Sequence, residues 1–174
     1  MWFLIEEIPA VAGPARASAA ARRVLASLLA RHCGVTQLPP IVALPSGKPV
    51  FGQMDGLHFS LSHCRRAVMA VVDTRPVGCD IEDIAGDVDD GLLSVAFDSR
   101  EQEYIRKGKD PFPGRRTDYT PAEVLAAIWT RKEASVKRLG DIPDNPADWP
   151  SDSPGLTTRI VADRGYAFSI AVSI

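Results

Sequence analysis

The chain is poor in cysteine. Its three, Cys33, Cys64 and Cys79, are odd in number and widely spaced. That excludes a disulfide framework and the paired spacings of a zinc site, and it fits semi-buried thiols in a reducing compartment. No charge sign dominates: 20 basic residues stand against 22 acidic ones, which leaves no footprint for broad nucleic-acid binding. Long hydrophobic runs are missing too. Met1-Trp-Phe-Leu-Ile gives way at once to Glu6 and Glu7, too short a run for a secretory signal or a membrane span. A soluble cytoplasmic protein without a membrane partner is expected. Lysine is scarce, confined to Lys48, Lys107, Lys109, Lys132 and Lys137. Where arginine is the default cation, each lysine marks a position of interest.

What is present is enough apolar residue for a real core: 45% of 174 residues are hydrophobic. That length fits one domain or two small lobes. Trp2–Ile5 reads as a strand, and Ala15–His32 as a helix that Gly34 ends. Gln37–Gly52 reads as a proline-rich connector, loop with at most a short strand. Leu57–Leu61 and Ala67–Val72 are strand-like, joined by a tight turn at Ser62–Arg66. Val77–Glu82 is a third strand. A hydrophobic helix is expected within Val88–Phe97, and Ser99 is expected to cap another at Arg100–Lys107. Thr120-Pro-Ala-Glu123 is a strong helix start, with Gly140 the stop. The chain ends in a hairpin, Leu156–Ala162 and Tyr166–Ile174. This order predicts an α+β fold of two similar lobes, 1–74 and 75–174, each a helix on a small antiparallel sheet.

Two stretches carry chemistry. In Gly78-Cys-Asp-Ile-Glu82, strand alternation puts Asp80 and Glu82 on one side and Cys79 and Ile81 on the other. Paired like charges call for a cation, and magnesium is the hard, oxygen-seeking candidate. A solvated acidic face is the alternative. In Trp129-Thr-Arg-Lys-Glu-Ala-Ser-Val-Lys137, helical spacing puts Trp129, Glu133 and Lys137 on one stripe. Taken alone, Glu133 and Lys137 are an ordinary surface ion pair. Ser62 and His63 follow a strand, where a turn would present N–H groups to a phosphate, and the alternative there is an idle turn histidine.

Gly47-Lys48-Pro49, His58-Phe-Ser-Leu-Ser-His63, Gly78-Cys-Asp-Ile-Glu82, Phe97-Asp-Ser-Arg-Glu101 and Trp129-Thr-Arg-Lys-Glu-Ala134 with Lys137 and Gly140, in this order, resemble the 4′-phosphopantetheinyl transferases. The resemblance is to the single-chain type that activates peptide and polyketide synthases, and it is dense over residues 45–140. It implies coenzyme A in a cleft between the lobes, with Mg²⁺, or alternatively Mn²⁺, held by Asp80, Glu82 and Glu133. Glu133 becomes the base, directly or through a bound water, and Lys137 the clamp on the pyrophosphate. Lys48, Ser62, His63, Lys132 and Lys137 are expected to face coenzyme A, with Arg16 and Arg22 as helpers. Lys107, Lys109, Arg115 and Arg116 are expected to meet an acidic acyl or peptidyl carrier protein. Trp129 is expected to seat its helix against the sheet.

Three departures stand out. Cys64 replaces a small hydroxyl after Ser62-His63, with Arg65 or Arg66 to compensate. Cys79 replaces a branched apolar residue on the core face. The N-terminal lobe is shorter than that type usually has. Two lobes in one chain favour a monomer. Two other functions stay open: a catalytically silent carrier-binding module of the same fold, and a magnesium-dependent phosphoesterase with water as nucleophile.

Overall fold

Two long helices begin and end where the sequence signals them. A computed structural model describes residues 1–9, 13–109 and 118–174. Helix α1, Pro14–Cys33, has proline in its first turn and ends on Gly34 in the left-handed region, φ 68°. Helix α4, Pro121–Leu139, opens on a reciprocal capping box between Thr120 and Glu123 and ends on Gly140, φ 75°. Among the described residues no helix is long and apolar enough to cross a membrane.

Around these helices lie three antiparallel sheets. β1 (Trp2–Glu7), β5 (Ala67–Asp73) and β4 (His58–His63) form the first, in the order β1-β5-β4. β2 (Ile41–Ala43) and β3 (Pro49–Phe51) pair as a hairpin, where the sequence reads mainly as loop. β6 (Val77–Asp83), β8 (Tyr166–Val172) and β7 (Leu156–Val161) form the third, in the order β6-β8-β7. Short helices α2 (Asp90–Ala96) and α3 (Ser99–Lys107) precede α4. The architecture is α+β, small antiparallel sheets with helices packed on them.

Period-two alternation explains the layering. Val68, Ala70 and Val72 of β5 pack under α1 with Val24, Leu25, Leu28 and Leu29. The alternate residues Ala67, Met69 and Val71 meet Val77, Cys79 and Ile81 of β6 and Tyr166, Phe168, Ile170 and Val172 of β8. Cys79 thus lies in the core between sheets, as its parity predicts, and burial pushes its thiol up to about 12. On the far side of the third sheet lies α4. There Gly78, Asp80 and Glu82 stand opposite Ala171, Ser169 and Ala167 of β8. These small residues leave room for a helix.

Two helix details differ from expectation. The cap of α3 is Asp98, one residue before Ser99; its side chain accepts from Glu101 N–H while Glu101 accepts from Asp98 N–H. Asp98 and Ser99 are both favourable caps, and the reciprocal bonds with Glu101 fix the helix start at Asp98. Trp129 stacks on Trp149 at 5.7 Å and meets Phe97 at 6.0 Å, in a cluster with Leu93, Ile105 and Ile128. It seats α4 against α2 and α3 rather than against the sheet, because the sheet-facing positions belong to small residues.

Candidate functional site

The site forms where β6, α4 and β4 meet. Gly78 lets the helix lie on the strand: a Cβ there would stand 2.1 Å from Ala134 O and 2.4 Å from Arg138 N. With no side chain in between, the next turn of α4 reaches Asp80. Lys137 Nζ donates to Asp80 Oδ1 at 2.6 Å and stands 3.4 Å from Glu133 Oε2. Ser62 Oγ donates to the same Asp80 oxygen at 2.7 Å. Among the described residues the other oxygen, Asp80 Oδ2, is buried without a hydrogen-bond partner. Lys137 is therefore already engaged by carboxylates, where the sequence left it free to clamp a phosphate. Burial opposes its charge, but Asp80 and Glu133 outweigh burial and raise its pKa.

Charge is crowded here. Burial first, then the carboxylates of Asp80, Glu133 and Asp83, pushes Glu82 up to about 7, against the opposing pull of Lys137. Burial likewise raises Glu133, which Lys137 pulls back. Among the described residues no three His, Cys, Asp or Glu side chains form a ready-made metal cluster. The donor chemistry nonetheless fits a hard divalent cation. Three carboxylates share one lysine, two of them are driven toward their neutral forms, and one buried oxygen lacks a donor.

The raised Glu82 has a consequence for stability. Folded, it holds its proton up to about pH 7; unfolded, only up to its usual 4.5. Between those values the folded state binds more protons, so stability falls as pH rises. In metal-free buffer, Glu82→Gln should leave Tm little changed near about pH 4 and raise it increasingly toward about pH 8. Thermal melts in chelator check this. An equal shift at both ends would show that the Glu82 carboxyl is unperturbed.

Beside the carboxylates opens a cleft of about 290 Å³, lined by Lys48, Pro49, Phe59, Leu61, Val136 and Lys137. Lys48 Nζ donates to Arg138 O at 2.7 Å, capping the C-terminal end of α4 from the other half of the chain. Burial, with Arg138 nearby, lowers its pKa.

Other predicted residues lie elsewhere. Ser62 and His63 are the last two residues of β4, not a turn, and consecutive strand residues face opposite ways. Ser62 points to β6, while His63 is exposed. Arg16 and Arg22 are exposed on α1. Arg65 and Arg66 both pair with Asp83, so neither stands in for the hydroxyl that Cys64 replaces. Lys107 pairs with Glu103 and Lys109 is exposed; Arg115 and Arg116 lie outside the described residues.

Lys132 requires a correction. It is expected at the cofactor, yet it is 0% exposed. Its ammonium holds Glu101 Oε2 at 2.7 Å and the carbonyls of Pro146 and Ala147 at 3.1 Å each. One residue from Glu133 is about 100° around the helix, enough to turn Lys132 away from the cleft. It ties α4 to α3 and to the segment 146–147. Sequence reasoning also missed Ser60 and Glu101 as structural partners. Glu101 carried a signal, the third residue of a capping box, but nothing local names its lysine.

The acid pair of β6 thus stands directly against the acid and the lysine of α4, beside the cleft. Residues 76–152 match the 4′-phosphopantetheinyl transferase superfamily. The 4′-phosphopantetheinyl transferase AcpT of Salmonella typhimurium is 35% identical over 133 residues, 74% of this chain and 61% of that protein. The 4′-phosphopantetheinyl transferase psf-1 of Bacillus pumilus is 31% identical over 135 residues, 70% of this chain and 51% of the relative. A 4′-phosphopantetheinyl transferase of Bacillus subtilis is 30% identical over 95 residues, 54% and 38%. Through residues 76–152 the chain belongs to the 4′-phosphopantetheinyl transferase superfamily. Its alignments span between 38% and 61% of the length of these relatives.

Proposed function

We propose that the chain transfers 4′-phosphopantetheine from coenzyme A to a serine of an apo acyl or peptidyl carrier protein. The observation that carries this reading is the convergence of Asp80, Glu133 and Lys137 beside a cleft with walls from both halves of the chain. The serine oxygen bonds to the β-phosphorus of the pyrophosphate. The bond from that phosphorus to the bridging oxygen breaks, and 3′,5′-ADP leaves. Glu133 takes the serine proton, directly or through a bound water. Asp80, Glu82 and Glu133 would hold Mg²⁺, which neutralises the pyrophosphate and the charge developing on it. Lys137 sits among these carboxylates and orients them until phosphate competes for its ammonium.

Lys48 and the apolar lining of the cleft suit the adenosine end of coenzyme A. Exposed Lys107 and Lys109, with Arg115 and Arg116 beyond the described residues, suit an acidic carrier. Both cleft walls come from one chain, in support of a two-lobed monomer divided near Asp73–Pro76.

The test mixes protein, apo carrier, coenzyme A and Mg²⁺ and weighs the carrier intact. The expected result is a phosphopantetheine adduct with release of 3′,5′-ADP. Carrier binding without an adduct on several apo carriers would favour the silent module. Release of 3′,5′-ADP without an adduct would favour a phosphoesterase. Either result overturns the transfer reading.

A further inference from the structure

We infer that Ser62 is a positioning residue that orients Asp80 from the opposite half of the molecule, leaving Asp80 Oδ2 open for the cation. The inference rests on the proposed function, which makes Asp80 a ligand.

The argument begins with an edge. β6 is the outer strand of its sheet, so alternate N–H groups along it have no strand partner. In a buried setting those groups need acceptors. Two serines of β4 supply them. Ser60 and Ser62, spaced by two, point the same way. Ser60 Oγ accepts Cys79 N–H at 3.0 Å, and Ser62 Oγ accepts Ile81 N–H at 3.4 Å. Side chains of one half thus stand in for a strand along the other.

The two serines part ways in their protons. A hydroxyl has one proton to donate. Ser62 spends it on Asp80 Oδ1, at 2.7 Å. Lys137 donates to that same oxygen. Among the described residues two donors converge on Oδ1 and none reaches Oδ2, although Oδ2 is buried too. Residue Asp80 is only 2% exposed, so solvent does little to make good the missing donor. A carboxylate pinned through one oxygen is held in one rotation with the other oxygen available. Hydrogen bonds of this kind to ligating carboxylates typically govern metal affinity by about 10–100-fold. The same bond answers the sequence expectation for Ser62: with its proton on Asp80, it has none for a coenzyme A phosphate.

Ser60 is a control supplied by the fold. It sits on the same strand and face and makes the same kind of bond to the β6 backbone, but its bond is to Cys79 N–H rather than to a carboxylate. The experiment measures Mn²⁺ binding to the full chain, without coenzyme A or carrier, by calorimetry or electron paramagnetic resonance. Ser62→Ala should weaken Mn²⁺ about 10-fold or more, and Ser60→Ala should stay within about 2-fold of wild type. Ser62→Cys, similar in size but a weak donor, should also weaken binding and serves if the alanine variant does not fold. Wild-type affinity in a folded Ser62 variant would overturn the inference and leave the transfer reading standing. Equal losses in the Ser60 and Ser62 variants would also overturn it, and would make both serines a clasp between halves. No Mn²⁺ binding by wild type would overturn the inference and the metal site of the proposed function together.

Discussion

Asp80→Ala is expected to abolish carrier modification while the chain remains folded. Asp80 is the one carboxylate bonded to both Ser62 and Lys137, so its removal takes away the anchor of the charge cluster. Lys137 then falls back on Glu133, and the donor set for a cation loses its most buried member. Loss of a single well-placed electrostatic group typically costs about 10²–10³ in rate, and here ligand and lysine partner go together. Intact-mass detection of the carrier adduct reads the activity, and circular dichroism with a thermal melt reads the fold. Glu133→Ala should behave alike, because Glu133 is the other contact of Lys137 and the proposed base. Near-normal transfer in either folded variant would show that the chemistry lies elsewhere.

Gly78→Ala is expected to be the most damaging single methyl in the site. The new Cβ would lie 2.1 Å from Ala134 O and 2.4 Å from Arg138 N. Both are backbone atoms, so no side chain can swing aside, and α4 itself must move off β6. Overpacking ordinarily costs about 1–3 kcal/mol and sometimes more, and a backbone clash belongs at the upper end. For a chain of this size, Tm should fall by roughly 6–12 °C. Activity should fall further than stability alone explains. A helix displaced by about 1 Å carries Glu133 and Lys137 away from Asp80, a misplacement that can cost about 10²-fold. A melt and the adduct assay check both parts. A Tm within a degree or two of wild type would show that the helix does not bear on the strand at Gly78.

Much of this architecture is legible locally. Proline, glycine and capping signals bracket α1 and α4 because helix ends are settled by a few neighbouring residues. Parity places Val77, Cys79 and Ile81 in the core and Asp80 and Glu82 on the other face, because a strand alternates whatever lies beyond it. The cap of α3 falls one residue before the expected Ser99, since Asp98 and Ser99 are both good caps and Asp98 is the one that forms the reciprocal box with Glu101.

The expected cofactor contacts are less legible in the sequence. Lys132 and Lys137 are both lysines on one helix, five residues apart. One is sealed against Glu101 and two carbonyls, and the other joins Asp80 and Glu133. What separates them is the rotation of α4 on its sheet, which depends on Gly78, on the small residues of β8 and on the aromatic cluster around Trp129.

By itself, then, the sequence determined the α+β class, the limits of the two long helices to within a residue, the faces of β6 and the family to which residues 76–152 belong. Those follow from local backbone preferences, from period, and from motif order. Only the tertiary structure decided that Ser62 serves Asp80, that Lys132 is a buried strut, and that Lys137 sits among the carboxylates. Each of those is a contact between residues distant in the chain, 18, 31 and 57 positions apart in the three principal cases. Such contacts are set by how two sheets and their helices pack, and no local pattern encodes that.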